Sequence, residues 1–166
     1  MLTANTPANE LISSHPAGDL YCSKESGHHF LTSVKDYQPG DSIEEFSSAS
    51  IENIPNRYTV QKNEHEHIVL HPKYLQYLNH SCDPNCFIDV NNFQIVAIKQ
   101  IEKGGSLNFF YPSTEWQMSE PFKCLCGSYN CLGEIKGAYA IPLNILNTYK
   151  LSPFIESRIR ESNQNQ

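Results

Sequence analysis

The sequence predicts a mainly β fold built from several short strands. Val, Ile, Phe, Tyr and Thr come in brief runs separated by Pro, Gly, Asn and Asp, which is the spacing of strands and turns rather than of long helices. The chain has 166 residues, room for one domain or one domain with a small appendage. A hydrophobic share of 39% is enough to bury a core and excludes disorder throughout.

Each element has a local reason. Candidate strands lie at 29–33, 41–47, 57–61, 67–70, 86–90, 93–98 and 106–111, each a short β-branched or aromatic run. Gly40-Asp41 and Lys103-Gly104-Gly105 punctuate two of the turns, and Asn91-Asn92 is expected to supply the positive-φ positions of a tight hairpin. Residues 121–137 shift sharply towards Cys and Gly, with too few large apolar residues for a core, so this segment needs a staple. After Pro142 the run Leu143, Ile145, Leu146, Tyr149 and Leu151 has near-helical spacing; Pro153 is expected to interrupt it before a second turn around 154–159, and 161–166 is a polar tail.

Twelve Lys and Arg against eighteen Asp and Glu leave a formal charge of -6. No basic stripe is present, which argues against nucleic acid and anionic membranes, whereas an acidic surface steers basic peptides. Met1–Ala17 has neither a positive start nor an apolar run of leader length, and no stretch approaches the ~18 apolar residues of a membrane span. The expectation is a soluble, intracellular protein. In a reducing compartment the six cysteines point to metal rather than disulfides.

Four groupings could carry chemistry. Cys124-x-Cys126-x4-Cys131 puts three thiols within eight residues, with Gly127 and Gly133 permitting the turns that gather them. A structural zinc site needs a fourth ligand, which Cys82, Cys86, Cys22 or a histidine could supply. Asn79-His80-Ser81-Cys82-Asp83-Pro84-Asn85 is dense in short hydrogen-bonding side chains, by itself ordinary turn chemistry. In Ser106–Tyr111, alternation places Phe109 and Tyr111 on one strand face and Phe110 on the other, an arrangement usual in a core. His65-x-His67-x3-His71 could share a metal as in cupin jelly rolls, but Glu64 and Glu66 mark a polar hairpin tip and no matching ligand follows.

The order of these motifs resembles the SET-domain protein lysine methyltransferases with a post-SET zinc loop. Asn79–Asn85, a strand ending in Tyr111, and the three clustered cysteines carry the resemblance, which runs from about 26 to about 137; Pro112–Trp116 and Cys124–Gly133 also look like compact microbial members. It implies small curved sheets around a knot-like core in which a C-terminal segment threads under a loop, with a zinc-stapled loop and a short C-terminal helix. Implied boundaries are an extension at 1–19, the catalytic unit at 20–117, the zinc loop at 118–137 and a helical segment and tail at 138–166.

The resemblance further implies S-adenosylmethionine as cofactor, held by Gly27, His28, His29, Tyr77, Asn79, His80 and Tyr111. It implies one structural zinc on Cys82, Cys124, Cys126 and Cys131, Tyr111 as the catalytic tyrosine, and Tyr58 as a channel-lining one. Phe109, where family members carry Phe or Tyr, implies room for di- or trimethylation. The implied substrate is a lysine in a basic protein segment, histone-like or ribosomal. The chain departs from the family where His29 stands for the second glycine of a Gly-x-Gly turn, where Gly104-Gly105-Ser106-Leu107 replaces Gly-Glu-Glu-Leu, and where Phe110 replaces an acidic residue. A catalytically silent, zinc-stapled module binding a basic peptide is the alternative.

Overall fold

The computed structural model describes residues 9–164; the first eight residues of the N-terminal extension and the last two of the polar tail lie outside it. The chain opens with β1 (Glu10–Ser14), β2 (Gly18–Cys22) and β3 (His29–Ser33), an antiparallel sheet in that order. The sequence suggests only β3. β1 leaves Leu11 and Ile12 about half exposed, so it has no buried apolar pattern to betray it, and it is held by backbone pairing to β2.

β4 (Ser42–Glu45) begins a central sheet, and β5 (Ser47–Glu52), β6 (Thr59–Gln61) and β7 (His67–His71) form a second sheet ordered β5-β7-β6. The single strand expected at 41–47 is therefore divided at Phe46, a buried residue whose N–H donates to Phe93 O, and the chain changes sheets there. A 3-10 turn over Lys73–Tyr77 leads into β8 (Asn79–His80), followed by β9 (Cys86–Asp89), β10 (Gln94–Ala97) and β11 (Asn108–Phe109).

The central sheet has the order β4-β10-β9-β11-β8. β11 thus lies between two strands that are neighbours in sequence, running parallel to both. The Ser81–Asn85 loop arches over it, Ser81 N–H donating to Phe109 O and Asn85 N–H to Asn108 O. That is the threading under a loop that the resemblance implies. It brings Asn79, His80 and Tyr111 together despite some thirty intervening residues.

The turn between β9 and β10 differs from the expected hairpin. Asp89 accepts the N–H groups of Asn91 and Asn92 at 3.2 and 3.0 Å, and the positive φ falls on Phe93, at 55°. The left-handed residue comes at the end of a wider turn instead of inside a two-residue one. An aromatic residue is uncommon there, and its ring packs edge-on against Phe46 at 5.5 Å.

β12 (Phe122–Lys123) and β13 (Glu134–Ile135) form a ribbon around the cysteine loop. The C-terminal segment is α1 (Leu143–Leu146), one short turn, and α2 (Pro153–Gln164). Pro153 starts this helix: proline is favoured at a first helical position, and Ser152 Oγ accepts Ile155 N–H at 3.3 Å as a cap. Most of the expected tail is therefore helical. Among the described residues no helix is long and apolar enough to cross a membrane.

Candidate active site

A small cluster of buried residues, Phe110, Ala138, Leu146 and Ile155, fastens the C-terminal segment behind β11. Phe110 stacks on Tyr149 with ring centroids 3.7 Å apart, while Phe109 and Tyr111 turn the other way and approach each other at 4.7 Å. The alternation expected from the sequence thus puts Phe110 to structural use, where an acidic residue could not stack. It frees Phe109 and Tyr111 for the front.

There two cavities meet. The larger is a cleft of about 880 Å³ lined by Gly27, His28, His29, Tyr77, Asn79, His80 and Tyr111, with residues 118–126 of the cysteine loop as its other wall. The smaller, about 40 Å³, is a narrow pocket whose lining includes Leu75, Leu78, Ile88, Phe109, Tyr58, Tyr111 and Glu115. Arg57, Tyr58 and Tyr111 border both. Every residue expected to contact cofactor lies on the large cleft, and Tyr58 and Phe109 lie on the narrow one. The expected strand at 57–61 is shortened to β6 because Asn56 Oδ1 accepts Tyr58 N–H at 2.9 Å, forming a turn that leaves Tyr58 projecting.

Asn79 Nδ2 donates to His29 O at 2.9 Å, tying β8 to the start of β3 at the floor of the cleft. His29 keeps a negative φ, so the side chain in place of glycine carries no left-handed strain; its ring stacks on Tyr77 at 5.0 Å. Gly27 does hold a positive φ of 69°. His80 Nδ1 accepts Tyr111 N–H at 3.2 Å, which leaves the ring proton on Nε2, 3.3 Å from Cys82 Sγ. Burial brings His80 down to about 4, so it stays neutral.

The Tyr111 hydroxyl donates to Leu78 O at 2.8 Å. Burial pushes it up to about 12, against a smaller opposing effect of Arg57, so it remains protonated. With its proton committed to Leu78, its lone pairs are free to accept from an amine N–H. Glu115 follows on the turn after Tyr111 and is buried; burial raises its carboxyl to about 7, although Gln61 N–H at 2.8 Å and Thr114 Oγ1 at 3.2 Å both donate to Oε1. Sequence reading gives neither Glu115 nor Arg57 a role, although Glu115 lies in the Pro112–Trp116 segment that carries part of the resemblance.

Cys82, Cys124, Cys126 and Cys131 bring four sulfurs within 4.8 Å of one another. Zinc–sulfur bonds of about 2.3 Å in a tetrahedron place neighbouring sulfurs ~3.8 Å apart; Cys82 and Cys124 are 3.9 Å apart. Leu132 N–H donates to Cys82 Sγ at 3.4 Å, support suited to a thiolate. Burial pushes Cys124 up to about 11, and Cys82 also upward, whereas at Cys126 burial is outweighed by hydrogen bonds, led by that of Ser128, which bring it down to about 6; a dication would offset the cost of ionising the first two. The donor set fits zinc. Cys86 is buried in β9 away from the cluster, Cys22 lies in β2, and His65, His67 and His71 form no metal-sized group among the described residues.

A family model described as the SET domain matches residues 2–112. The chain belongs to the SET-domain family. It is 43% identical over 84 residues to Methyltransferase flvH of Aspergillus flavus, a match covering 49% of this chain and 47% of that protein. It is 29% identical over 129 residues to the histone-lysine N-methyltransferase, H3 lysine-36 specific, of Gibberella zeae, covering 64% of this chain and 14% of that protein. The chain thus spans about half or less of the length of these relatives. The fold is shared with KRYPTONITE, solved in complex with mCHG DNA and SAH, at TM-score 0.53 and 20% identity over 69% of this chain and 28% of that one.

Proposed function

We propose that the chain is an S-adenosylmethionine-dependent protein lysine N-methyltransferase. The observation that carries this reading is the Tyr111 hydroxyl at the junction of a cofactor-sized cleft and a narrow pocket with apolar walls at Leu75, Leu78, Ile88 and Phe109. A pocket of that width admits an unbranched chain such as a lysine side chain. Gly27, His29, Asn79 and His80 would hold S-adenosylmethionine, whose sulfonium supplies an electrophilic methyl group. Methyl transfer is an in-line displacement, so the protein's task is alignment of a neutral amine. Tyr111 orients that amine through its oxygen lone pairs, and the apolar walls disfavour the amine's charged form.

Zinc on the four cysteines would fix residues 118–137 as the wall of the cleft, with His80 linking Cys82 to Tyr111. Phe109 presents no hydroxyl to the pocket and leaves space for a methylated amine to turn, which supports di- or trimethylation. The relatives named as histone-lysine methyltransferases, together with the net charge of -6, support a lysine in a basic segment, histone-like or ribosomal, as substrate. The relatives also support a site of action inside the cell, and the net charge argues against direct nucleic-acid binding.

Calorimetric titration of zinc-replete protein with S-adenosylmethionine and its demethylated product tests the cleft, and methyl transfer to core histones followed by mass spectrometry tests the reaction. Micromolar cofactor binding with more than one methyl added per lysine is expected, Phe109→Tyr shifting product towards monomethyl. Absence of cofactor binding up to millimolar ligand would defeat the proposal. Monomethyl product alone from wild type, unchanged in Phe109→Tyr, would defeat its multiplicity.

A further inference from the structure

Glu115 is a carboxyl group inside the narrow pocket that the methyl-transfer scheme leaves unused. Its Oε1 takes both hydrogen bonds, from Gln61 N–H and Thr114 Oγ1, and among the described residues Oε2 accepts none. The residue is only 7% exposed, yet it lines the pocket alongside Phe109 and Tyr111. Oε2 is not among the enclosed side-chain atoms that lack a partner, so one oxygen is anchored in the protein while the other is open to the pocket and free to accept a proton.

We propose that Glu115 receives the substrate ammonium and takes a proton from it, a catalytic role that rests on the amine-methylating reading above. An N–H bond of the ammonium breaks with its electron pair remaining on nitrogen, and an O–H bond forms at Oε2. The neutral amine keeps the lone pair that the reaction needs, and the proton leaves to solvent through the pocket mouth once product departs. Both partners favour the exchange. The apolar walls at Leu75, Leu78, Ile88 and Phe109 raise the proton affinity of a carboxylate and lower that of an amine, so transfer removes two poorly solvated charges at once.

The direction found for Glu115, up to about 7, is what such a step requires near neutral pH. Other titratable groups on the elements around it are few. Tyr111 stays protonated; Arg57 and Tyr58 stand at the mouth, the guanidinium 5.4 Å from the Tyr58 ring. Arg158 of α2, stacked over Trp116, is turned to Glu64 and Glu161. Among the described residues no other carboxylate lines the pocket.

The test uses zinc-replete protein saturated with S-adenosylhomocysteine, and n-butylammonium chloride as the probe, binding being read by protein NMR from pH 5.5 to 8. Wild type is expected to bind the probe at pH 8 and to lose at least about tenfold by pH 5.5. Glu115→Gln, which keeps an acceptor for Gln61 and Thr114, is expected to bind at least about tenfold more weakly at pH 8, a ~1.4 kcal/mol loss typical of a charge-assisted hydrogen bond. It should show no pH dependence and unchanged affinity for S-adenosylhomocysteine. Equal binding by Glu115→Gln, or no probe binding by wild type, overturns the proposal; if that variant does not fold, a pH-independent wild-type affinity overturns it instead. Glu115-dependent probe binding without S-adenosylhomocysteine binding would sustain the ammonium site while defeating the methyltransferase reading.

Discussion

Replacing Glu115 by glutamine should stabilise the protein, and by an amount that depends on pH. The Glu115 carboxyl is raised to about 7 in the fold, against about 4.5 when exposed, with burial as the cause. Because the folded pKa is the higher one, the folded state binds the extra proton and stability falls as pH rises from about 4.5 to 7. At pH 8 the linkage cost is about 3 kcal/mol; at pH 5 it is below about 1 kcal/mol. Glutamine carries no charge and keeps the acceptor for Gln61 N–H, so it escapes this cost. The assay is urea unfolding of both proteins at pH 5 and pH 8 with zinc present. Other groups, including the cysteine ligands, titrate alike in both, so the difference between the proteins isolates Glu115. An advantage for Glu115→Gln about 2 to 3 kcal/mol larger at pH 8 than at pH 5 is expected. A difference that does not change with pH would refute the assignment of a buried, proton-holding carboxyl.

Metal analysis should find about one zinc per chain, and Cys82→Ser should lose most of it together with about 5 °C or more of Tm, since a three-thiolate set does not close the site; retained zinc would exclude Cys82 from it. Tyr149→Phe removes the hydroxyl that donates to Cys82 O at 2.7 Å but keeps the stack on Phe110, and Asn130 still donates to the same carbonyl. Its cost should be ~1 kcal/mol by denaturant unfolding, and a loss above ~3 kcal/mol would show that the hydroxyl does more. Gly137→Ala should cost at least ~2 kcal/mol, because φ is 121° there and a Cβ would lie 2.4 Å from Trp116 O; an unchanged Tm would contradict that close approach.

The short-strand character, the clustered thiols and the Asn79–Cys82 segment were legible in the chain because each is a local pattern: residue type and spacing within a few positions determine it. So was the division of aromatic labour in Phe109, Phe110 and Tyr111, since pleating alternates faces whatever packs on them. Other features had no local signal. β1 pairs without burying an apolar face, Pro153 starts a helix instead of ending one, and the positive φ fell on Phe93 because Asp89 caps a wider turn. Cys82 could be joined to the other three thiols only through resemblance. Tertiary structure gathers the four sulfurs, because β11 threads between β8 and β9 and thereby carries Cys82 to within 3.9 Å of Cys124. The same threading brought Glu115 to the narrow pocket. Its sequence neighbours give it no chemistry; its burial and its one unengaged oxygen come from β6 and the pocket walls, which lie far away along the chain.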